Sequence, residues 1–341
     1  MARFDRMTVL NKLFEIGLVP VFYNKDAEVA IKVVDACAAG GAKVVEFTNR
    51  GDFAPQVFLE VSRHLAKTDP SVILGAGSVV DAPTAAMYIA YGANFVVGPL
   101  LNPEIARLCN RRKIAYSPGC GSVSEIAQAE ELGVEIVKIF PGTSVGGPDF
   151  VKSVLGPCPW TRIMPTGGVD ATQESIKAWF GAGVACVGMG SNLITKDLLA
   201  AGDFEGITRK VSQVLGWIRL ARGQNLFTGV EHVGLYPTDA ASGEQIARWY
   251  ADTFGFKVSE GRSSFFLQST GAGRIEVMKE GSGDRCHVAV RVADFEAAVE
   301  ALGARGVEME EPKVKPEVKA AMLQGRDPAG NRVHLFWTAG V

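Results

Sequence analysis

The segment Glu135-Ile136-Val137-Lys138-Ile139-Phe140 is a short, mostly apolar run with one lysine near its centre. The run is too short for a helix and does not alternate between apolar and polar residues. This pattern is typical of a parallel strand that is buried on both faces. Seven similar runs occur between residues 18 and 193, at Leu18–Tyr23, Lys43–Thr48, Val72–Gly75, Asn94–Val97, Ile114–Ser117, Arg162–Pro165 and Ala185–Met189.

Longer amphipathic stretches separate these runs, for example Asp26–Ala39 and Ser122–Leu132, and their periodicity is typical of helices. Eight strands that alternate with helices predict an α/β fold, namely a closed (β/α)₈ barrel of the TIM type. An open, doubly wound sheet is the alternative, because strands are hard to count from one sequence.

The pattern changes after an amphipathic helix predicted at Phe204–Arg222. Gly223-Gln224-Asn225 breaks this helix, and beyond Gly229 apolar and polar residues alternate strictly, as in a half-exposed antiparallel sheet. We therefore place a domain boundary within residues 222–229. The expected domains are a barrel at residues 1–222 and a second domain at residues 229–341.

The second domain contains an internal repeat of the pattern βαβββ. Each copy has a strand, a helix and three short strands. The copies are Val230–Tyr236, Gly243–Phe254 and strands ending at Lys279, then Cys286–Val292, Asp294–Arg305 and strands ending at Trp337. Because such repeats fix the architecture, we expect an α+β domain of two βαβββ units.

The composition excludes several classes of function. The chain has 341 residues and a net charge of −2, so it has no basic excess to bind a nucleic acid. No apolar stretch approaches the ~20 residues that a membrane helix needs, and the first residues do not resemble a secretion signal. The six cysteines form no CxxC pair, which argues against a zinc ribbon or a disulfide framework. We therefore expect a cytoplasmic protein without a membrane partner.

Lys138 is the unusual residue of the predicted barrel, whose catalytic residues should lie at the carboxyl ends of the strands. An ammonium group is costly to bury among apolar side chains. Desolvation should therefore lower the pKa of Lys138 and leave a free amine that attacks a ketone to form a Schiff base. The alternative is a lysine whose stem is packed while its head reaches water.

Two further charged residues lie at the end of the second strand. Glu46 is a candidate general base that moves protons through water during cleavage of a C–C bond. Its alternatives are a solvated charge or a salt bridge to Arg50. The guanidinium of Arg50 offers a planar fork of donors that suits a substrate carboxylate.

Glycines follow the seventh and eighth strands, in Thr166-Gly167-Gly168 and Gly190-Ser191. We expect these segments to open helices and to bind a phosphate through backbone N–H groups, because barrels commonly hold one between these two loops. Glycines that only form turns are the alternative.

Four motifs together resemble the 2-keto-3-deoxy-6-phosphogluconate / 4-hydroxy-2-oxoglutarate class I aldolase family, in order and spacing, over residues 7–220. They are Glu46-Phe47-Thr48-Asn49-Arg50, Gly75-Ala76-Gly77-Ser78-Val79, Val137-Lys138-Ile139-Phe140-Pro141 and Pro165-Thr166-Gly167-Gly168. The resemblance implies that Lys138 forms the Schiff base, that Glu46 is the base and that Arg50 binds the pyruvate carboxylate. It also implies a barrel that needs no cofactor and, by analogy, a homotrimer.

The chain departs from this family at two positions of the expected substrate site. Ser78 replaces a residue that is often threonine. Gly98-Pro99-Leu100 stands where the family has Ser-Pro-Gly, so the surroundings of Pro99 near the pyruvyl end or the aldehyde should differ.

The βαβββ repeat resembles the vicinal oxygen chelate superfamily over residues 229–338. That superfamily includes glyoxalase I, fosfomycin-resistance proteins and extradiol dioxygenases, which hold a divalent metal in a cup of two such units. The resemblance implies ligands in the first and last strands of each unit. The residues at those positions are His232, Glu276, His287 and His334.

The alternation of side chains along a strand agrees with this ligand set. Apolar residues share one face in each strand, which should pack on the helices: Val233 and Leu235; Ile275 and Val277; Val288, Val290 and Val292; Val333, Leu335 and Trp337. The four candidate ligands lie on the opposite face. Three imidazoles and one carboxylate suit Zn²⁺, Ni²⁺, Co²⁺ or Fe²⁺ better than Mg²⁺ or Ca²⁺. The alternative is a solvated sheet face in a structural or regulatory module.

These patterns predict a two-domain enzyme. The barrel is expected to cleave a 2-keto-3-deoxy sugar acid, phosphorylated or not, or 4-hydroxy-2-oxoglutarate, to pyruvate and an aldehyde. The alternatives are an isomerase or epimerase in which Lys138 binds a phosphate, and an inactive barrel kept for assembly or binding. The second domain is expected to act on a related 2-oxo or 2-hydroxy acid.

Overall fold

The computed structural model describes residues 3–223, 226–268, 273–328 and 330–338. The contacts divide the chain into two units, residues 1–223 and residues 224–341. Gln224 and Asn225 of the predicted break lie outside the described residues. No described helix is long and apolar enough to cross a membrane.

Short strands alternate with helices throughout the first unit. Its strands are β1 (Leu18–Phe22), β2 (Val44–Thr48), β3 (Ile73–Gly77), β4 (Phe95–Val97), β5 (Ala115–Ser117), β6 (Gly119–Cys120), β7 (Val137–Ile139), β8 (Ile163–Pro165) and β9 (Val187–Met189). Its helices are α1 (Arg6–Ile16), α2 (Ala27–Ala39), α3 (Ala54–Thr68), α4 (Ala82–Ala90), α5 (Pro103–Arg112), α6 (Val123–Glu131), α7 (Gly147–Leu155), α8 (Gln173–Gly181), α9 (Lys196–Ala201) and α10 (Phe204–Ala221).

The strands pair in parallel in the order β5-β4-β3-β2-β1-β9 and β6-β7-β8. Pro118, which has no backbone N–H, separates β5 from β6, so these two strands are halves of one barrel strand. A parallel bridge between Thr166 and Gly188 joins the two sheets after β8. The predicted α/β barrel fold is therefore confirmed.

Helix α1 determines which end of the barrel is open. Its side chains Val9, Leu10 and Leu13 are buried in one cluster with residues near the start of the strands, including Val44 and Ile136. Lys138 and Glu46 lie two positions further along the same two strands, so their side chains point into the same interior. The barrel is thus closed by apolar groups at one end and carries its charged groups towards the other.

The second unit is a mixed sheet with a helix in each repeat. Its elements are β10 (Phe227–Leu235), α11 (Gly243–Phe254), β11 (Lys257–Glu260), β12 (Ser264–Gln268), β13 (Arg274–Met278), β14 (His287–Val292), α12 (Phe295–Gly303), β15 (Lys313–Val314), β16 (Val318–Arg326) and β17 (Arg332–Thr338). The strand order is β11-β12-β13-β10-β14-β17-β16-β15. The first strands of the two repeats, β10 and β14, are antiparallel neighbours at the centre, which agrees with the predicted βαβββ duplication.

The apolar face of this sheet forms two small cores instead of one. Helix α11 packs on β12 and β13, whereas α12 packs on β17. Val277 and Leu335 are accordingly buried. Val233 was expected to pack on a helix, but it is exposed because it lies on the central strand β10 between the two helices.

Strict alternation is also wrong at one place in β10. Val230 pairs with Val290 and His232 pairs with Ala289, so two steps along β10 match one step along β14. Glu231 is therefore the extra residue of a β-bulge, which turns neighbouring side chains towards the same face. This bulge determines the polar contacts described below.

Candidate active site and candidate metal centre

Lys138 lies on β7 and is only 5% exposed. Burial lowers the pKa of its ammonium group, the carboxylate of Glu46 opposes that shift, and the charge of Arg50 adds to it. The Nζ atom lies 4.8 Å from the centre of the Phe140 ring. At a given pH, a larger fraction of Lys138 is therefore the neutral amine than in a lysine exposed to water.

Glu46 lies on β2 and is 1% exposed. Burial raises the pKa of its carboxyl group, whereas Lys138 and Arg50 act in the opposite direction. Its Oε2 atom has no hydrogen-bond partner in the described structure. Gly77 on β3 leaves room for the other oxygen, because a Cβ there would overlap Glu46 Oε1. This carboxyl group is available to exchange a proton.

Arg50 and Ser78 meet at the ends of β2 and β3. The Nε atom of Arg50 donates to Ser78 Oγ at 3.2 Å. Ser78 has a φ of 57°, an uncommon left-handed conformation for a residue other than glycine, which costs less for serine than for β-branched threonine. Within the described part of the chain, Arg50 forms no ion pair with Glu46, so the salt bridge offered as an alternative role for Glu46 is not observed.

Pro99 follows β4 and lies against β6. A Cβ on Gly119 would overlap the carbonyl of Pro99, and Gly119 is the residue paired with Lys138 in the parallel register. The loop after β4 is thereby brought next to the strand of the candidate nucleophile.

Thr166, Gly167 and Gly168 follow β8, and the hydroxyl of Thr166 is buried without a hydrogen-bond partner among the described residues. The two glycines are exposed, as is Ser191, whereas Gly190 is partly exposed. Asn192 joins the two loops, because its Nδ2 donates to Asp170 Oδ1 at 2.6 Å.

The expectation that these glycines open helices is wrong. Gly167 and Gly168 have φ values of 86° and 76°, which are incompatible with the first turn of a right-handed helix. Helix α8 instead begins after its N-cap Thr172, and α9 begins after Thr195. An anion in these loops would meet backbone N–H groups of turns, without a regular helix N-terminus.

His232, His287 and His334 converge in the second unit, with ligand atoms all within 4.8 Å of one another. His232 and His287 are buried, and His334 is partly buried. The Nε2 atoms of His232 and His287 are 3.3 Å apart. The three histidines come from β10, β14 and β17, as the strand pattern predicted.

Hydrogen bonds determine which ring nitrogens face this centre. Nδ1 of His232 is bonded to the carboxylate of Glu231, and Nδ1 of His287 lies 3.1 Å from the carbonyl of Arg285. Both partners accept, so each Nδ1 carries the proton and each Nε2 presents a lone pair in the neutral ring.

His334 contributes the third imidazole. Its Nε2 atom is buried and has no partner among the described residues. Burial, followed by the charges of His287 and His232, lowers the pKa of His334 to about 3. Its ring is therefore neutral at physiological pH, which is the form that binds a metal ion.

The sequence model of the family described as "KDPG and KHG aldolase" matches residues 9–210, more than half of the chain. The chain belongs to this family. The first unit is therefore the barrel of a class I aldolase, a carbon–carbon lyase. A second model, described as "Glyoxalase-like domain", matches residues 237–336.

Curated relatives cover the aldolase barrel almost completely. The 2-dehydro-3-deoxy-phosphogluconate aldolase of Haemophilus influenzae is 32% identical over 213 residues, which are 62% of this chain and 97% of that protein. The KHG/KDPG aldolase of Escherichia coli K12 is 32% identical over 207 residues, or 60% of this chain and 92% of that protein.

Solved structures give the same fold for the aldolase barrel. The KDPG aldolase of Legionella pneumophila, solved with pyruvate captured as a covalent carbinolamine intermediate, has a TM-score of 0.55 at 28% identity and covers 60% of this chain and 97% of its own. The 2-keto-3-deoxy-6-phospho-gluconate aldolase of Zymomonas mobilis has a TM-score of 0.55 at 26% identity, covering 64% and 100%.

Glu276 occupies a peripheral place in the glyoxalase-like domain. Its Oε2 lies 3.3 Å from Nε2 of His232, and its Oε1 accepts from Ser264 Oγ at 2.8 Å. It adjoins the three histidines but is not among the group whose ligand atoms are all mutually close.

Sequence reasoning on this aldolase missed Glu231. Strict alternation placed its side chain on the face opposite His232, and nothing in the pattern marks a bulge at this position. In the structure its carboxylate is buried, contacts Nδ1 of His232 and lies 3.1 Å from Arg274 Nη2. It is the partner that fixes the ring of a candidate ligand.

Proposed function

We propose that the barrel cleaves a 2-keto-3-deoxy sugar acid, or 4-hydroxy-2-oxoglutarate, to pyruvate and an aldehyde, with Lys138 as the nucleophile. The observation that carries this proposal is the buried Lys138 amine, whose pKa burial lowers, inside the open end of the barrel. A lysine that served as a phosphate-binding cation would gain from exposure and from a high pKa, so the isomerase alternative is disfavoured.

The chemistry follows from the amine. Lys138 Nζ adds to the C2 ketone of the substrate, and loss of water gives a protonated imine. This imine accepts the electron pair of the C3–C4 bond as the C4 hydroxyl loses its proton, which releases the aldehyde. The resulting enamine gains a proton at C3, and water then hydrolyses the imine to release pyruvate and the free amine.

Glu46 supplies the proton transfers in this scheme. Its carboxylate takes the proton of the C4 hydroxyl, directly or through water, and the resulting acid returns a proton to C3 of the enamine. The burial that raises its pKa brings the group closer to the pH at which it must both accept and donate.

The remaining candidate residues bind and orient the substrate. Arg50, held by its bond to Ser78 Oγ, pairs with the carboxylate at C1. Thr166, whose buried hydroxyl has no protein partner, and Pro99 line the pyruvyl end. A phosphate, where the substrate carries one, lies in the loops with Gly167, Gly168, Gly190 and Ser191.

Trapping tests this proposal directly. Pyruvate with borohydride should add one reduced pyruvyl group to the peptide that contains Lys138 and none to exposed Lys152, which serves as an internal control. Absence of the adduct at Lys138 contradicts the Schiff-base mechanism. Measuring kcat/KM on 2-keto-3-deoxy acids with and without a terminal phosphate then identifies the substrate; equal values argue against a phosphate site.

We also propose that the glyoxalase-like domain binds one divalent metal ion through His232, His287 and His334, with Glu276 at the fourth position. The observation that supports this is the approach of two Nε2 lone pairs to 3.3 Å, which repel each other unless a proton or a cation lies between them. The donor set suits Zn²⁺, Ni²⁺, Co²⁺ or Fe²⁺.

A metal ion there would act as a Lewis acid on adjacent oxygens, such as those of a 2-oxo or 2-hydroxy acid. The chain's own residues orient the ligands: Glu231 holds His232, the Arg285 carbonyl holds His287, and Ser264 holds Glu276. We propose that the acid is a precursor or product of the aldolase reaction, because one chain carries both domains.

Elemental analysis of the purified chain tests the metal site. One equivalent of a divalent ion should be present in the wild-type protein and lost in the double variant His232→Ala with His287→Ala. His64→Ala is the matched control, because His64 pairs with Asp35 in the aldolase barrel. If the chelator-treated wild-type protein takes up no ion, the domain is a structural or regulatory module.

A further inference from the structure

Two arginines flank Glu231 on the face of the sheet that carries the histidines. Arg274 lies on β13 and Arg291 on β14, the strands on either side of β10. Arg274 is paired with His232 in the sheet register, so their side chains lie on the same face. The Nη2 atoms of Arg274 and Arg291 are 3.1 and 3.8 Å from Glu231 Oε1. These residues form a charged row next to the histidines.

This row carries more positive than negative charge. Two guanidinium groups share the one carboxylate of Glu231, and that carboxylate also accepts from His232. The Nε atoms of Arg274 and Arg291 are buried and have no hydrogen-bond partner in the described structure. A buried donor without an acceptor is unfavourable, so a further hydrogen-bond acceptor would stabilise both side chains.

The arginines are both held in place and accessible. The guanidinium of Arg274 lies 4.9 Å from the centre of the Phe266 ring, which fixes its plane. The side chains of Arg274 and Arg291 retain 31% and 33% of their exposure. Part of each side chain is therefore open to an incoming ligand, and the contact with Glu231 already restricts the orientation of both, which lowers the entropic cost of binding.

We propose that Arg274 and Arg291 bind the carboxylate of a small organic acid beside the three-histidine centre. This rests on the metal-binding function proposed above and assigns two residues to the carboxylate of its 2-oxo or 2-hydroxy acid. The guanidinium fork matches a carboxylate in two parallel hydrogen bonds. With a divalent ion bound, the ion and the two arginines would supply four positive charges against two negative charges from Glu231 and Glu276, so the site would favour an anion.

The competing explanation is purely structural, with the arginines serving only to neutralise Glu231. Under that explanation, loss of either guanidinium lowers the stability of the domain but leaves ligand affinity unchanged. The proposed role instead requires ligand affinity to depend on both arginines while the fold is intact, so binding and stability must be measured separately.

The test uses oxalate, a planar dicarboxylate with adjacent oxygens, and the full chain loaded with Co²⁺. All proteins carry Arg50→Gln, which removes the guanidinium proposed to bind a carboxylate in the barrel. Oxalate binding is measured by calorimetry, and its entry at the metal by the visible spectrum of Co²⁺. Arg274→Gln and Arg291→Gln should each weaken oxalate binding ~10–100-fold, the usual effect of losing a hydrogen bond between charged groups.

Arg248→Gln is the matched control, because Arg248 pairs with Glu244 on the exposed face of α11 and should leave oxalate affinity unchanged. Arg274→Lys keeps the charge without the fork and should give an intermediate affinity, which guards against a variant that fails to fold. Equal oxalate affinity in the wild-type chain and both folded glutamine variants overturns the proposal. A loss of affinity for inorganic phosphate in these variants that exceeds the loss for oxalate also overturns it.

The two proposals for this domain fail in different ways. If Co²⁺ is not taken up but oxalate binding still depends on Arg274 and Arg291, the anion site stands and the metal site is wrong. If Co²⁺ is bound and oxalate affinity is unchanged in the arginine variants, the metal site stands and the arginines are counter-ions of Glu231.

Discussion

The aldolase barrel and the glyoxalase-like domain bury polar groups in opposite ways. In the barrel, Lys138 and Glu46 lie among apolar side chains, and Glu46 Oε2 has no partner in the described structure. In the second domain, buried polar groups bond to one another: Glu231 holds His232 and the Arg285 carbonyl holds His287. Both sites contain buried polar groups, but only in the second do several of them form a connected network.

The difference shows two uses of burial. In the barrel, desolvation shifts the pKa values of Lys138 and Glu46 in opposite directions, towards the neutral forms of both groups, which favours proton exchange and nucleophilic attack. In the second domain, hydrogen bonds fix the orientation of neutral imidazoles, which favours the binding of a cation. Substitutions in the barrel should therefore change reaction rates, whereas those in the sheet should change affinities.

The largest effect is expected at Lys138, because the proposed mechanism of the barrel depends on its buried amine. Lys138→Arg keeps the positive charge but cannot form an imine, so cleavage of the 2-keto-3-deoxy acid should fall by ~10⁴-fold or more, as when a covalent nucleophile is removed. Steady-state kinetics measure the loss, and circular dichroism checks the fold.

Lys152→Arg is the control for this variant, because Lys152 is exposed on α7 and pairs with Asp149. It should keep the wild-type rate. Near-normal turnover in Lys138→Arg would show that the buried ammonium is structural. The two domains would then differ only in how their buried polar groups are packed.

The next effect concerns Glu46. Glu46→Gln retains the size of the side chain but cannot exchange a proton, so turnover should fall ~10²–10⁴-fold. Pyruvate should still be trapped on Lys138, because imine formation needs only the amine. An exposed glutamate on α6, Glu131, provides the control Glu131→Gln. An unchanged rate in Glu46→Gln would reduce this residue to a structural charge.

The barrel fold and the buried position of Lys138 could be predicted from the sequence for the same physical reason. Buried parallel strands give continuous apolar runs, so a charged residue inside one, such as Lys138, stands out without any knowledge of its neighbours in space. The expected helix start at Gly167 and Gly168 was wrong, because both adopt a positive φ, which depends on the turn and is not specified by the presence of glycine alone. After Gly190 the chain makes a single turn, and helix α9 begins only after Thr195.

The site of the second domain could be predicted only as far as strand alternation holds. The three histidines lie on one face because β14, β17 and the end of β10 are regular. The bulge at Glu231 breaks that rule. It arises from the pairing of β10 with β14, two strands that are far apart in the sequence, so no local pattern encodes it. The contribution of Glu231 was therefore visible only once the register was known.

A smaller effect tests whether Glu231 acts on the proposed metal site through His232. Glu231→Gln can still accept a hydrogen bond but removes the negative charge that makes the imidazole a stronger ligand. Affinity for Zn²⁺ or Co²⁺ should fall ~10-fold, the lower end of the effect of such partners. Competition with a chromophoric chelator measures it, with Glu244→Gln on α11 as the control. Unchanged affinity would make Glu231 a counter-ion for the arginines only.

The smallest effect is a shift in the pH dependence of pyruvate trapping. Only the neutral amine of Lys138 attacks, so the trapping rate should rise with pH through its pKa, which burial holds below the usual value. The carboxylate of Glu46 raises that pKa, so Glu46→Gln should move the rising limb to lower pH, whereas Glu131→Gln should not. Initial trapping rates with cyanoborohydride over a pH series locate the rising part of the pH–rate profile. If it does not move, Glu46 is uncharged where Lys138 titrates, and desolvation alone governs the barrel site.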